Sequence, residues 1–220
     1  MNFAVIIPAY NAGSSLTALL DRSRQVQAPT DTIVVDDGST DGTAGLAHAA
    51  GVIVCAHEKN RGKGAALSTG FACALARGYE AVITMDSDLQ HQPEDIPRFI
   101  RAHQDTGADI IIGSRLHSLK GMPYHRRLSN IITTAMVRAR TGAAVEDSQS
   151  GFRFIHARAL RLVETTSQGF EAETEFIIRA ALKGCSFSAI PIDTIYAGEK
   201  STMTHWQTTV RFISVLLTDY

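Results

Sequence analysis

The sequence predicts an α/β domain with a mostly parallel central sheet flanked by helices on both faces. Two observations carry this. Short apolar runs rich in β-branched residues alternate with helix-period segments through the first half, and several of those runs end in Pro, Asp or Gly clusters. No repeat or linker-like tract divides the 220 residues, so a single domain with one sizeable core is expected.

Taken in order, Phe3 to Ile7 reads as the first strand, and Leu16, Leu19 and Leu20 mark the first helix. Thr32 to Val35 and Val52 to Ala56 follow as strands, then Ala65 to Arg77 as a helix. Ala81 to Met85 is a fourth strand. Pro93 to His103 reads as a helix with Ile96, Phe99 and Ile100 on one face, and Asp109 to Ile112 as a fifth strand. Beyond a Gly-, Pro- and Lys-rich loop at 116–124, the pattern predicts a helix from His125 to Arg140. A polar run from Glu146 to Gly151 leads to a short strand and two helices. Ser186 to Ile192 is a late strand, and His205 to Leu217 a terminal helix.

Formal net charge is −1, so no global field points to nucleic acid. Cys55, Cys73 and Cys185 are scattered, which fits buried thiols in a reducing compartment better than a disulfide framework. The apolar run at 3–9 is too short for a signal peptide and lacks its basic start. Nowhere do eighteen or so apolar residues follow one another, so no membrane span is expected and the protein reads as soluble or peripheral.

The strand at Ala81 ends in Asp86-Ser87-Asp88. If extended geometry persists to its end, both carboxylates share a face and can converge on one hard cation at the carboxyl edge of the sheet. The alternative is a solvated turn. The first strand ends in Pro8-Ala9-Tyr10-Asn11 and the second in Asp36-Asp37-Gly38-Ser39-Thr40-Asp41-Gly42, on the same edge. Tyr10 can stack on a base, and Asp36 or Asp37 can accept from base or ribose donors. Asn60-Arg61-Gly62-Lys63-Gly64 precedes a helix, where free N–H groups could bind an anion. It has neither the Walker ending nor the Rossmann fingerprint, and a plain tight turn fits it equally well. Ala172 to Lys183 aims Glu173 inward, where pairing with an Arg is the economical expectation.

Together these motifs resemble the family 2 inverting glycosyltransferases of GT-A fold. Within that family the chain is most similar to the polyprenyl-phosphate (dolichol-phosphate) mannosyl- and glucosyltransferases. The resemblance runs through the segments above and through Asp86 to Glu94, Gly113-Ser114-Arg115 and Ser150-Gly151-Phe152-Arg153. It implies a nucleotide-sugar donor held by Pro8, Tyr10, Asn11, Asp36, Asp37, Lys63, Asp86 and Ser87. It implies Mg²⁺ or Mn²⁺ on Asp86, Asp88 and Gln90, with Asp88, Arg115 and Asp147 in catalysis. It also implies a lipid phosphate or glycan acceptor met by Arg115, Arg126, Arg153 and Lys200. Residues 1–115 would then form the nucleotide-sugar half and 116–220 the acceptor half. Asp147 would serve as a base for an alcohol acceptor, or would orient Arg153 or the donor sugar if the acceptor is a phosphate. His91 is expected to cap or face solvent rather than bind metal. A cytoplasmic enzyme, peripheral at the inner face of the membrane or recruited by an integral membrane partner, completes the expectation.

The chain departs from the subgroup pattern at Ala12-Gly13-Ser14, where relatives often carry Glu, and in the order of Gly198-Glu199-Lys200-Ser201. Two other classes compete with this activity: a sugar-phosphate nucleotidyltransferase, disfavoured by Pro8-Ala9-Tyr10-Asn11, and a non-catalytic nucleotide-sugar-binding protein.

Overall fold

The computed structural model describes residues 1–116, 124–195 and 212–220, with the side chains of 125 and 126 outside that set. Seven strands form one sheet: β1 (Phe3–Ala9), β2 (Thr32–Asp36), β3 (Ile53–Ala56), β4 (Ala81–Thr84), β5 (Ile110–Ser114), β6 (Arg153–His156) and β7 (Phe187–Pro191). Their order is β3-β2-β1-β4-β6-β5-β7. All pairings are parallel except those of β6, which runs antiparallel to β4 and β5.

The helices are α1 (Gly13–Ser23), α2 (Thr43–Ala49), α3 (Lys63–Ala76), α4 (Ile96–Thr106), α5 (Tyr124–Thr141), α6 (Ala157–Leu162) and α7 (Glu171–Leu182). Strand alternation divides the core into two layers. Ala4, Ile6, Ile33, Val35 and Ile112 pack on one face against Leu67 of α3, Val137 of α5 and Ile177 of α7. Val5, Ile7, Val34 and Ile111 pack on the other against Leu16 and Leu19 of α1 and Phe99 of α4. Every strand expected in the first half is present, its ends within one or two residues. Pro8 is tolerated in a central strand because β4 ends its pairing with β1 at Ile6, so the missing N–H falls beyond the ladder. Of the expected terminal helix, only 212–217 falls within the described residues, and it is helical.

The reversed strand organises the functional edge. β1, β2, β4 and β5 all deliver their carboxyl ends there, while β6 begins there. Residues 147–152 therefore lie beside the end of β4: Thr84 Oγ1 donates to the Gly151 carbonyl at 2.8 Å, and the Gly113 N–H donates to the Phe152 carbonyl at 2.9 Å. Among the described residues, no helix is long and apolar enough to cross a membrane.

Candidate active site

At the ends of β1 and β2, Asn11 takes φ +50°, a left-handed conformation that Asn tolerates. Its side-chain oxygen accepts from the Thr40 N–H at 2.9 Å, and its own N–H donates to Ser39 Oγ at 2.9 Å. The two strand-end loops are thereby tied together, and Tyr10 projects from them 51% exposed. The adjacent acids differ in role. Asp37 accepts from the Arg61 and Gly62 N–H groups at 2.9 and 2.8 Å and contacts His57 Nδ1 at 2.6 Å. Both of its oxygens hold the 60–64 loop, a structural task beside the nucleoside contact expected of it. Asp36 accepts the Ser39 N–H at 3.2 Å and keeps its position at the edge.

The 60–64 loop is not the anion cradle it resembles. The N–H groups of Gly64 and Ala65 both donate to the Gln168 carbonyl, at 2.7 and 3.2 Å, so two donors of the first turn of α3 are already taken by protein. Gly38 and Gly62, at positive φ, pack against the backbone of Lys59 and Gln168 too closely for any side chain. What the loop does deliver is Lys63. Its ammonium lies 2.6 Å from Asp86 Oδ1 and 2.8 Å from Glu173 Oε2. It also stands 5.8 Å from the centroid of the Phe170 ring. Glu173 thus pairs chiefly with a lysine, and only distantly with Arg153 at 3.9 Å.

β4 stops at Thr84, two residues before Asp86, and Leu89 takes φ +62°. The extended geometry expected through Asp86-Ser87-Asp88 does not persist, and Ser87 and Asp88 lie in a turn. That turn is stapled by Ser15 Oγ donating to the Ser87 carbonyl at 2.6 Å and by the Gln90 N–H donating to Asp88 Oδ1 at 3.0 Å. Behind it His91 is buried, stacked on Phe152 at 5.1 Å, and accepts the Asp86 N–H at Nδ1. Of the two placements expected, the surface one is excluded by burial, while the bond to the Asp86 N–H is a capping contact. Burial pushes the His91 pKa down to about 4, so the ring is neutral near pH 7. For Asp86, burial alone would raise the carboxyl pKa. The Lys63 ammonium foremost, with the His91 ring and Arg115 beside it, overrides this and holds the group at about 2.

Arg115 follows β5 and grips Asp147 with Nε at 2.8 Å and Nη2 at 2.9 Å. Asp147 is fully buried and also accepts from the Arg115 and Gln149 N–H groups and from Asn130 Nδ2 of α5. Burial would raise its pKa, but the Arg115 guanidinium and Asn130 drive it below the ordinary carboxylate range. A carboxylate so enclosed and so acidic is a poor proton acceptor. This enclosure speaks against the base expected at Asp147, which accepts its hydrogen bonds from Arg115, Asn130 and Gln149 rather than from Arg153. Arg153, 3% exposed, donates to the carbonyls of Glu173 and Ser148 at 3.1 and 3.0 Å. It is an internal strut and does not face an acceptor. Arg126 lies on α5 with its side chain outside the described residues, as does all of Lys200.

Sequence reading missed three features: the His57–Asp37 contact, the Asn130–Thr134 polar face of α5, and the closeness of Gly151 to Asp86. A Cβ at Gly151 would come 2.7 Å from Asp86 Oδ2. The Ser-Gly-Phe-Arg run flagged that glycine without saying what it faces.

Among the described residues, no group of three or more His, Cys, Asp or Glu side chains forms a metal cage. A hard divalent cation that shares its shell with phosphate oxygens and water needs only one or two carboxylates. Asp86 and Asp88 fit that lesser demand, and the approach of Gly151 to the Asp86 carboxylate leaves no space for a side chain at that position.

The fold and the cluster of strand-end acids on one sheet edge can be set beside known proteins. Residues 4–163 match the model of Glycosyl transferase family 2, and the chain belongs to that family. It is a glycosyltransferase. The undecaprenyl-phosphate mannosyltransferase of Micrococcus luteus is 32% identical over 203 residues, covering 87% of this chain and 83% of the relative. The polyprenol monophosphomannose synthase of Mycolicibacterium smegmatis is 32% identical over 200 residues, covering 86% and 75%. Glucosyl-3-phosphoglycerate synthase from Mycobacterium tuberculosis, crystallised with Mn²⁺, UDP and phosphoglyceric acid, superposes with a TM-score of 0.76 at 22% identity, over 98% of this chain and 77% of that one. That likeness establishes the GT-A fold.

Proposed function

We propose that the protein transfers a hexose, with inversion, from a nucleotide sugar to a polyprenyl phosphate, using Mg²⁺ or Mn²⁺ held by Asp86 and Asp88 with Gln90. The observation that carries the proposal is the stapled Asp86-Ser87-Asp88 turn, set on the same sheet edge as Tyr10 and Asp36. Tyr10 offers an exposed ring to the base, and Asp36 an acceptor to base or ribose. A divalent ion, when bound, would neutralise the charge of the departing diphosphate. Arg115, fixed by Asp147, is close enough to Asp86 to help hold that carboxyl ionised, and its charge would serve phosphate oxygens arriving at the same edge.

The buried state of Asp147 favours a phosphate acceptor over a hydroxyl. A phosphate monoester already carries the charge it needs to attack the anomeric carbon, whereas an alcohol must first lose a proton to a base. Two relatives named for undecaprenyl-phosphate and polyprenol acceptors support the same choice.

The outer face of α5 supports peripheral membrane attachment. Its buried side carries Asn130, Thr134 and Val137, while Tyr124, Leu128, Ile131, Ile132 and Met136 are all exposed. The helix contains four Arg and no acidic residue, in a chain of net charge −1. An apolar stripe flanked by arginines suits an anionic lipid surface, where the acceptor would be found.

Purified protein incubated with UDP-glucose or GDP-mannose, Mn²⁺ and a short polyprenyl phosphate should release nucleoside diphosphate and form glycolipid. No product with any common donor would refute the proposal. Asp88→Ala should keep its thermal transition and lose metal-dependent turnover by about a hundredfold or more; retained turnover would refute the metal assignment.

A further inference from the structure

The Lys63 ammonium lies in direct contact with the Asp86 carboxylate and is shared with a second acid, Glu173. Three features fix it there. Its side chain is 15% exposed, and Glu173 beside it 12%. Phe170 lies over it. Glu173 is itself held, since the carbonyl of the same residue accepts from Arg153 Nη1. Lys63 stands at the first position of α3, whose following N–H groups are anchored to Gln168, so the backbone carrying it has little freedom.

Resting on the proposed metal role of Asp86, we infer that Lys63 is a resident counter-ion, held by Glu173, that makes divalent-metal binding depend on the nucleoside diphosphate. The physical argument is a competition for one carboxylate. Without a nucleotide, a metal ion must displace or share Asp86 with an ammonium 2.6 Å away, against the repulsion of that positive charge. A diphosphate brings new oxygens that accept from the ammonium, which frees Asp86 for the metal. Binding of either then strengthens the other, and the coupling is reciprocal. Glu173 sets the balance: it draws the ammonium partly away from Asp86, so Asp86 is never wholly neutralised.

The two sides of this device predict effects of opposite sign. Lys63→Met leaves Asp86 and Glu173 without their shared cation and should bind Mn²⁺ alone about tenfold more tightly than wild type. Glu173→Gln gives the ammonium to Asp86 alone and should bind Mn²⁺ alone more weakly. Mn²⁺ affinity is measured by electron paramagnetic resonance and calorimetry, with and without UDP and GDP, on proteins whose thermal transitions have been checked. In wild type the nucleotide should tighten Mn²⁺ binding by about tenfold or more, and in Lys63→Met that enhancement should shrink to about threefold or less. A Lys63→Met protein with unchanged Mn²⁺ affinity overturns the inference while leaving the metal site standing. A shift in the same direction for both variants overturns it too, and Glu173→Gln decides the matter if Lys63→Met fails to fold. Wild-type protein that binds no Mn²⁺ with either nucleotide overturns the metal assignment and the inference together.

Discussion

Asp147 shows how a single carboxylate changes meaning once its surroundings are known. Its five hydrogen bonds come from Arg115, Asn130 and Gln149, and its side chain meets no solvent. Asp147→Asn should cost about 3 kcal/mol in urea unfolding, the low end for breaking a buried pair because Arg115 keeps some solvent contact. Turnover should fall through misplacement of Arg115, with the acid limb of the pH–rate profile unmoved; loss of that limb would restore Asp147 as the base. Gly151 makes the complementary case. Gly151→Ala would drive a methyl into Asp86 and displace it on the order of 1 Å, for about a hundredfold loss of turnover. Its stability cost should stay within about 1–3 kcal/mol by thermal melting. Wild-type turnover in that variant would show that Asp86 tolerates movement.

At the scale of elements, α5 reverses the usual arrangement. Its inward polar residues serve the site: Asn130 donates to Asp147, and Thr134 bonds both Asn130 and Ser148. Its outward apolar residues are exposed among the described residues. Leu128→Asp with Ile132→Asp should abolish cosedimentation with vesicles containing anionic phospholipid, with stability changed by no more than about 0.5 kcal/mol. Vesicle binding that survives both substitutions would remove α5 as the attachment surface. β6 is the other decisive element, because running against its neighbours puts its first residues, rather than its last, at the functional edge.

For the whole molecule, acid sensitivity follows from carboxylates engaged in the folded state. Burial would raise the pKa values of Asp147 and Glu175. Arg115 around Asp147, and Ser167 with Thr166 around Glu175, lower them instead. A folded-state pKa below the unfolded one stabilises the protein above the unfolded value of about 4, and that contribution disappears as pH falls through the depressed folded values. Stability should therefore decline gently below about pH 6.5, as the unfolded His91 takes a proton that its buried ring refuses until about pH 4, and fall more steeply below about pH 4. Glu175→Gln should be less stable at neutral pH and show a shallower acid decline in urea titrations; an unchanged slope would exclude Glu175 as a source. Glu175 joins the 164–170 segment to α7 through Thr166 and Ser167, and so supports the loop whose Gln168 carbonyl holds α3. One sheet with two core layers carries β1 to β4 and β5 to β7 alike.

The sequence by itself determined the α/β class, the order of strands and helices, and the residues that reach the functional edge. Those follow from local patterns: apolar period, and Pro, Asp and Gly at strand ends. It also carried the motif series from Pro8 to Arg153 that marks the family. Only the tertiary structure decided what each polar residue does there, because a side chain's role depends on partners distant in the chain. Asp37 and Arg153 became internal struts, Asp147 became the anchor of Arg115, and Lys63 was given to Asp86 and Glu173. The antiparallel insertion of β6 brought Gly151 to Asp86 across more than sixty residues of sequence. No local pattern encodes that contact, since it arises from the sheet order and the packing of α3 against α7.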